Sequence, residues 1–191
     1  MRHPATDVHV LWRVLLSQGE TGRRRGLRCG RMIRHILQVK VPVTDLARSA
    51  AWYRKVFELE LIREFVEHGQ LAGAVLSNSE RTLLIGLRRR DVVPGKPAFA
   101  GFDLFSFAVD SRAELDRLVT RFDELGVAHS PIGDRGSDGA QLDVADPDGT
   151  VVRILSPFSE DAPAFQGIEF DEDGQPAFYD ESRLDRAPNR R

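Results

Sequence analysis

Cysteine is all but missing: Cys29 is the only one in 191 residues. One thiol closes no internal disulfide, which excludes a disulfide-stapled secreted scaffold and predicts a reducing cytoplasm. Long apolar runs are missing too. Residues 8–16 are apolar, yet they fall well short of the ~20 residues of a membrane span. They follow one Arg and one His and lead into Gly-Glu-Thr-Gly-Arg-Arg-Arg, with no small-residue cleavage site. Neither a membrane anchor nor a secretory signal is expected. The chain also lacks a strong net charge, at −2, but the charge is unevenly spread: residues 1–34 carry eight arginines against Asp7 and Glu20. No aromatic residues interleave the arginines of 23–34, so nucleic-acid binding is not expected. Residues 1–31 read as a disordered Arg-rich leader, or as an extension upstream of a start at Met32.

What is present begins with a period-two pattern. Leu37, Val39, Val41 and Val43 alternate with Ile36, Gln38, Lys40 and Pro42, which predicts a strand with an apolar odd face that packs and an even face turned to a cavity or solvent. Pro42 puts that strand's end at an edge or bulge. Thr44 or Asp45 can cap a helix over 46–57, and Leu46, Ala50, Tyr53, Val56 and Phe57 share one of its faces. Strand-like runs follow at 59–67, 70–76 and 81–87, with turns at 68–69 and 77–80. This is a β-α-β-β-β order.

After a loop over 88–101, rich in Arg, Pro and Gly, the order restarts. Phe105, Phe107 and Val109 alternate with Leu104, Ser106 and Ala108. Ser111 and Glu114 form a capping-box pattern, and the second helix runs to Leu125 with Gly126 as its stop. A strand is predicted over 127–132, a flexible loop over 133–139, and a hairpin of 141–145 with 150–155 across Asp146-Pro147-Asp148-Gly149. Val43 recurs as Val109 and Leu59 as Leu125, at one constant offset. An internal repeat in phase decides the architecture: an α+β domain over 32–157, of two βαβββ modules (about 33–88 and 102–156) that form a curved eight-stranded mixed sheet with helices outside. Residues 158–191 differ. They are acidic, yet Phe165, Ile168, Phe170, Phe178 and Tyr179 interrupt the acidity. A hairpin over 167–179 is expected, and the last ten or so residues read as disordered.

The run 41–59, Val-Pro-Val-Thr-Asp-Leu-Ala-Arg-Ser-Ala-Ala-Trp-Tyr-Arg-Lys-Val-Phe-Glu-Leu, resembles the opening of the vicinal oxygen chelate superfamily. That group includes glyoxalase I, bleomycin-resistance proteins and extradiol dioxygenases. Val43, Asp45, Leu46, Ser49, Trp52 and Tyr53 stand in its first-module pattern, and the hairpin at 146–149 resembles its second-module signature. The resemblance covers roughly 33–156 and implies a divalent metal on the concave face, held by His, Glu or Gln from four strands. Carried over position by position, the ligand places fall on Gln38, Gly86, Leu104 and Arg153. Only Gln38 can ligate. An arginine adds a positive charge where a dication would sit, and at ~4 Å that repulsion is several kcal/mol. No metal and no cofactor are therefore expected. His35 has the wrong parity and reads as structural, and His68 and His129 as surface residues near turns.

By alternation the concave face carries Gln38, Lys40, Leu84, Gly86, Arg88, Leu104, Ser106, Val151 and Arg153. An apolar floor with one amide, one hydroxyl and two or three cations suits a small molecule with an apolar body and an anionic or carbonyl group. Arg153 either grips such a group bidentately or pairs with a carboxylate such as Asp143. No residue is assigned a catalytic role. The expectation is a cytoplasmic, homodimeric, metal-free ligand-binding protein. The alternatives are an enzyme of the same superfamily with relocated chemistry, and an interaction module that uses the acidic tail.

Overall fold

In the computed structural model, which describes residues 35–158, 165–173 and 175–184, the first period-two run forms strand β1 (Val39–Val43). Helix α1 (Leu46–Phe57) follows, then β2 (Glu60–Glu67), β3 (Gln70–Ser77) and β4 (Leu84–Arg89). The second unit repeats the order as β5 (Asp103–Ala108), α2 (Arg112–Leu125), β6 (Gly133–Asp134), β7 (Ala140–Ala145) and β8 (Val151–Leu155). Strands β9 (Gly167–Phe170) and β10 (Pro176–Tyr179) then pair antiparallel. Residues 1–31, read above as a leader, lie outside the described residues, as do 32–34, 159–164, 174 and 185–191.

The α+β class and the βαβββ repeat are as expected; the pairing of the sheet is not. Among the described residues the repeat's strands pair as two four-stranded sheets, β1-β4-β3-β2 and β5-β8-β7-β6, rather than as one sheet of eight. In each, the first strand of the unit runs parallel to the last and the other pairs are antiparallel. Strand β1 is an edge, and its Pro42 has no N–H to offer a further neighbour. The units are joined instead by a shared core and by side chains.

Each sheet packs one face against its helix. In the first, Val41, Val43, Ala74, Leu76, Ile85 and Leu87 meet Leu46, Tyr53 and Val56 of α1; in the second, Leu142, Val144, Val152 and Ile154 cluster with Leu115 and Phe122 of α2. All belong to one cluster, and each large side chain so buried is worth about 1.5–3 kcal/mol. Phe57 of α1 bridges the units, with its ring 4.9 Å from Phe107 and 6.3 Å from Phe122.

The Asp-Pro-Asp-Gly hairpin clamps one unit to the other. Asp146 Oδ1 accepts the backbone N–H groups of Asp148 and Thr150 at 2.9 Å each, and its Oδ2 accepts the Tyr53 hydroxyl at 3.1 Å. Asp148 accepts the Thr44 N–H and hydroxyl just ahead of α1. Arg121 of α2 donates to the carbonyls of Lys55 and Val56, in the last turn of α1.

Two local expectations fail for visible reasons. Residues 127–132 form no strand, only a single bridge from His129 to Val144. Pro131 lacks an N–H, and the Ser130 hydroxyl accepts the Asp143 N–H that a neighbouring strand's carbonyl would take. The capping box at α2 closes by half: the Ser111 side chain caps nothing, while Glu114 reaches back to the Asp110 N–H at 3.0 Å.

Candidate ligand-binding faces of the two sheets

Strand registers fix which side chains share the face of the first sheet turned away from α1. Lys40, Gly86 and Val75 lie in register across β1, β4 and β3, and β2 adds Arg63 opposite Val75. The next row is Pro42, Arg88, Gly73 and Phe65, and Leu84 sits opposite Ser77. Four of the expected residues thus come together, with Gln38 beside them. The floor is Leu84, Gly86, Gly73 and Val75, all buried.

Glycine matters at two points of this floor. A Cβ on Gly86 would lie 2.6 Å from Nε2 of Gln38, so the Gln38 amide occupies the space a side chain at 86 would need. A Cβ on Gly73 would lie 3.0 Å from the Leu87 carbonyl oxygen, with Arg88 Cδ and Phe65 Cδ2 at 3.4 and 3.5 Å. Arg88 is tethered by Glu67 at 2.5 Å. Lys40 and Arg63 have no ion pair among the described residues. The face carries cationic groups in excess.

The corresponding face of the second sheet has the opposite balance. Ser106, Arg153 and Asp143 lie in register across β5, β8 and β7, and Asp103, Val151 and Ala145 form the next row. Arg153 donates through Nε and Nη2 to the two oxygens of Asp143 at 2.9 and 3.1 Å, and Nη1 lies 2.6 Å from Asp103. The Asp143 hydrogen bonds, joined by the charges of Asp143 and Asp103, raise the guanidinium above its ordinary value. Of the two readings of Arg153, pairing with Asp143 is the one seen, and Asp103 completes a carboxylate pair around it. Leu104 does not share this face with Ser106. A register shift falls between Asp103 and Phe105, and Leu104 packs against the hydrophobic cluster, so Asp103 takes the place that alternation had assigned to it.

Arg63, Phe65, Gly73 and Val75 were not among the expected site residues. Period-two counting along 59–67 puts Arg63 and Phe65 on the side of Leu61, but the register sets Leu61 opposite Leu76 of the core face, and Arg63 and Phe65 opposite Val75 and Gly73 of the other face. The shifts at 61/63 and 65/66 in β2 carry no sequence mark. His129 is less exposed than its turn suggests. Its side chain retains 14% of its accessible surface, with Nδ1 2.6 Å from the Ser130 carbonyl and Nε2 3.3 Å from Asp123.

A divalent metal does not fit. Among the described residues no three His, Cys, Asp or Glu side chains converge. The four places carried over from the resemblance hold an amide laid over a glycine, a half-buried leucine packed against the core and a guanidinium saturated by two carboxylates.

Residues 33–154 match the model of the Glyoxalase/Bleomycin resistance protein/Dioxygenase superfamily. Among solved structures, the chain is similar to lactoylglutathione lyase from Agrobacterium tumefaciens, at 21% identity and a TM-score of 0.53, over 66% of this chain and 96% of that one. It is similar to TnmS3, an antibiotic binding protein from Streptomyces sp. CB03234, at 21% identity and a TM-score of 0.54, over 67% and 99%. It is also similar to the fosfomycin resistance protein FosX from Listeria monocytogenes, at 20% identity and a TM-score of 0.51, over 65% and 94%. At such identities the likeness speaks for the fold. No curated protein matches the chain.

Proposed function

The chain belongs to the Glyoxalase/Bleomycin resistance protein/Dioxygenase superfamily, and from that premise we propose that it binds or sequesters a small, partly apolar, anionic or carbonyl-bearing molecule without a metal. The observation that carries this reading is the state of the donor set. Arg153 holds a positive charge at a ligand place and is locked there by Asp143 and Asp103, while Gly86 offers no donor and Gln38 fills its space. On this fold one similar protein is described as an antibiotic binding protein and another as a lyase; a face without metal donors favours the first kind of role. A cytoplasmic location is proposed on the single cysteine. A homodimer is proposed on the edge strand β2, which leaves Leu61 and Val66 exposed.

The enzyme reading needs an acid or base free to move a proton. Asp103 and Asp143 are the carboxylates nearest Arg153, and each is engaged with its guanidinium, so neither is free to reach a ligand proton. A thermal-shift screen of divalent metals and small organic anions tests the proposal, because a ligand of the native state raises apparent stability. Stabilisation by one or more organic anions, and none by metals, is expected. A stoichiometric metal lost in the Gln38→Ala variant would overturn it, and so would a screen in which no small molecule stabilises the chain.

A further inference from the structure

The two faces differ in what their cations are free to do. On the second sheet all three guanidinium nitrogens of Arg153 are engaged by Asp143 and Asp103. With two carboxylates against one guanidinium, that face repels an anion. On the first sheet Arg63 and Lys40 stand at the two ends of one row, Arg63-Val75-Gly86-Lys40, without a carboxylate partner among the described residues. Arg88, in the next row, is neutralised by Glu67.

Distances across the row suit a shared ligand. Strands lie about 4.8 Å apart, so the outer backbones are roughly 14 Å apart and each is roughly 7 Å from the midpoint, near the length of an extended Arg or Lys side chain. Both cations can therefore converge above Val75 and Gly86. Beside that point the Phe65 ring and the Arg88 stem close in over Gly73, which has no room even for a Cβ, so the uncovered part of the floor is at Val75. A flat apolar body can lie over Val75 against Phe65, while the Gln38 amide above Gly86 offers a neutral donor and acceptor.

Resting on the binding role proposed above, we infer that the anionic end of the ligand is held by the first module, between Arg63 and Lys40, and that the ligand is a flat, aromatic-type anion seated against Phe65. Arg153 takes no part in holding it. The specificity of the site then lies in β2, an edge strand, and not in the second module.

The probes are 2-naphthoate and its uncharged counterpart 2-naphthamide, titrated calorimetrically into the full chain and into Arg63→Gln, Lys40→Gln and Arg153→Gln. Far-ultraviolet circular dichroism and urea midpoints establish that each variant is folded. Naphthoate is expected to bind the native chain more tightly than naphthamide. Arg63→Gln should weaken naphthoate about tenfold, as loss of a charge-assisted hydrogen bond does, Lys40→Gln should weaken it by several-fold, and naphthamide should bind both alike. Arg153→Gln, if folded, should bind naphthoate as the native chain does or more tightly. Should Arg153→Gln fail to fold, Asp103→Asn is the second reporter, and it is expected to leave naphthoate affinity equal or higher.

Naphthoate binding lost in Arg153→Gln but kept in Arg63→Gln would overturn the inference. Equal affinity for both probes, insensitive to either cation of the first sheet, would overturn it while leaving the binding role standing. Failure of naphthoate to bind would overturn it too. The binding role falls only if the wider screen of organic anions also finds nothing.

Discussion

Tyr53 and Asp146 are the residue pair on which the two units depend. Tyr53 is fully buried, and burial, then the charge of Asp146, drives its hydroxyl far above the ordinary tyrosine value, so it remains a donor. Burial also pushes the Asp146 carboxyl up, against the three hydrogen bonds that favour its anion. Tyr53→Phe leaves Asp146 Oδ2 buried without its donor, and a loss of about 1–2 kcal/mol is expected in urea unfolding. Asp146→Asn is milder, because its Oδ1 can keep both backbone N–H groups and its amide can donate to the Tyr53 oxygen. That variant isolates the titration. A carboxyl whose folded pKa is raised binds its proton more tightly in the folded chain, so its contribution is most favourable below the ordinary carboxylate value and declines as pH rises through the raised one. The stability of the native chain minus that of Asp146→Asn is therefore expected to shrink as pH rises from about 3.5 toward 7. A difference that stays flat or grows would count against this assignment.

The two helices end alike in backbone and unlike in residue. Helix α2 stops at Gly126 with φ of 68°, and α1 stops at Glu58 with φ of 55°. Both are left-handed, which costs a residue with a Cβ roughly 1 kcal/mol and glycine almost nothing. Nothing lies within 4 Å of a Cβ built on Gly126, so Gly126→Ala should cost about 1 kcal/mol through backbone strain alone. Glu58→Gly should gain about 0.5–1 kcal/mol, set against its exposed pair with Arg121, which is worth little. Arg121 keeps its bonds to the Lys55 and Val56 carbonyls in that variant. Opposite shifts of the urea midpoint are the expected outcome, and a fall in both would show that Glu58 holds the α1 end by its side chain. The repeat was legible here because caps and strand ends recur in phase. The last turn's strain at Glu58 was not, since a glutamate carries no sign of positive φ.

At the scale of the molecule, alternation and repetition announced two βαβββ units, because burying one face of a strand forces apolar residues to every second place. Alternation failed where the backbone itself slips: the shift beside Leu104 turned Asp103 onto the face, and those in β2 hid Arg63 and Phe65. Nor could one chain's letters say that Asp103 joins Asp143 around Arg153, since that contact spans strands far apart in sequence. The tail poses a question at this scale. The hydrophobic cluster runs no further than Ile154 among the described residues, while Phe170 and Phe178 of the β9–β10 hairpin stay largely exposed. Phe178 lies tilted against Phe165 with ring centroids 4.8 Å apart, and Arg183 lies over the Tyr179 ring at 4.2 Å, so these contacts stay within the tail. A chain ending at Phe158 should then unfold at the same urea midpoint, within about 0.5 kcal/mol, because it keeps every described residue of the cluster. It should also shed five net negative charges, from nine carboxylates and four arginines, and elute earlier from an anion exchanger. If the exposed phenylalanines join chains together, sedimentation of the truncated chain will fall to a smaller species while its 2-naphthoate affinity holds. A lowered midpoint would instead make the hairpin part of the domain.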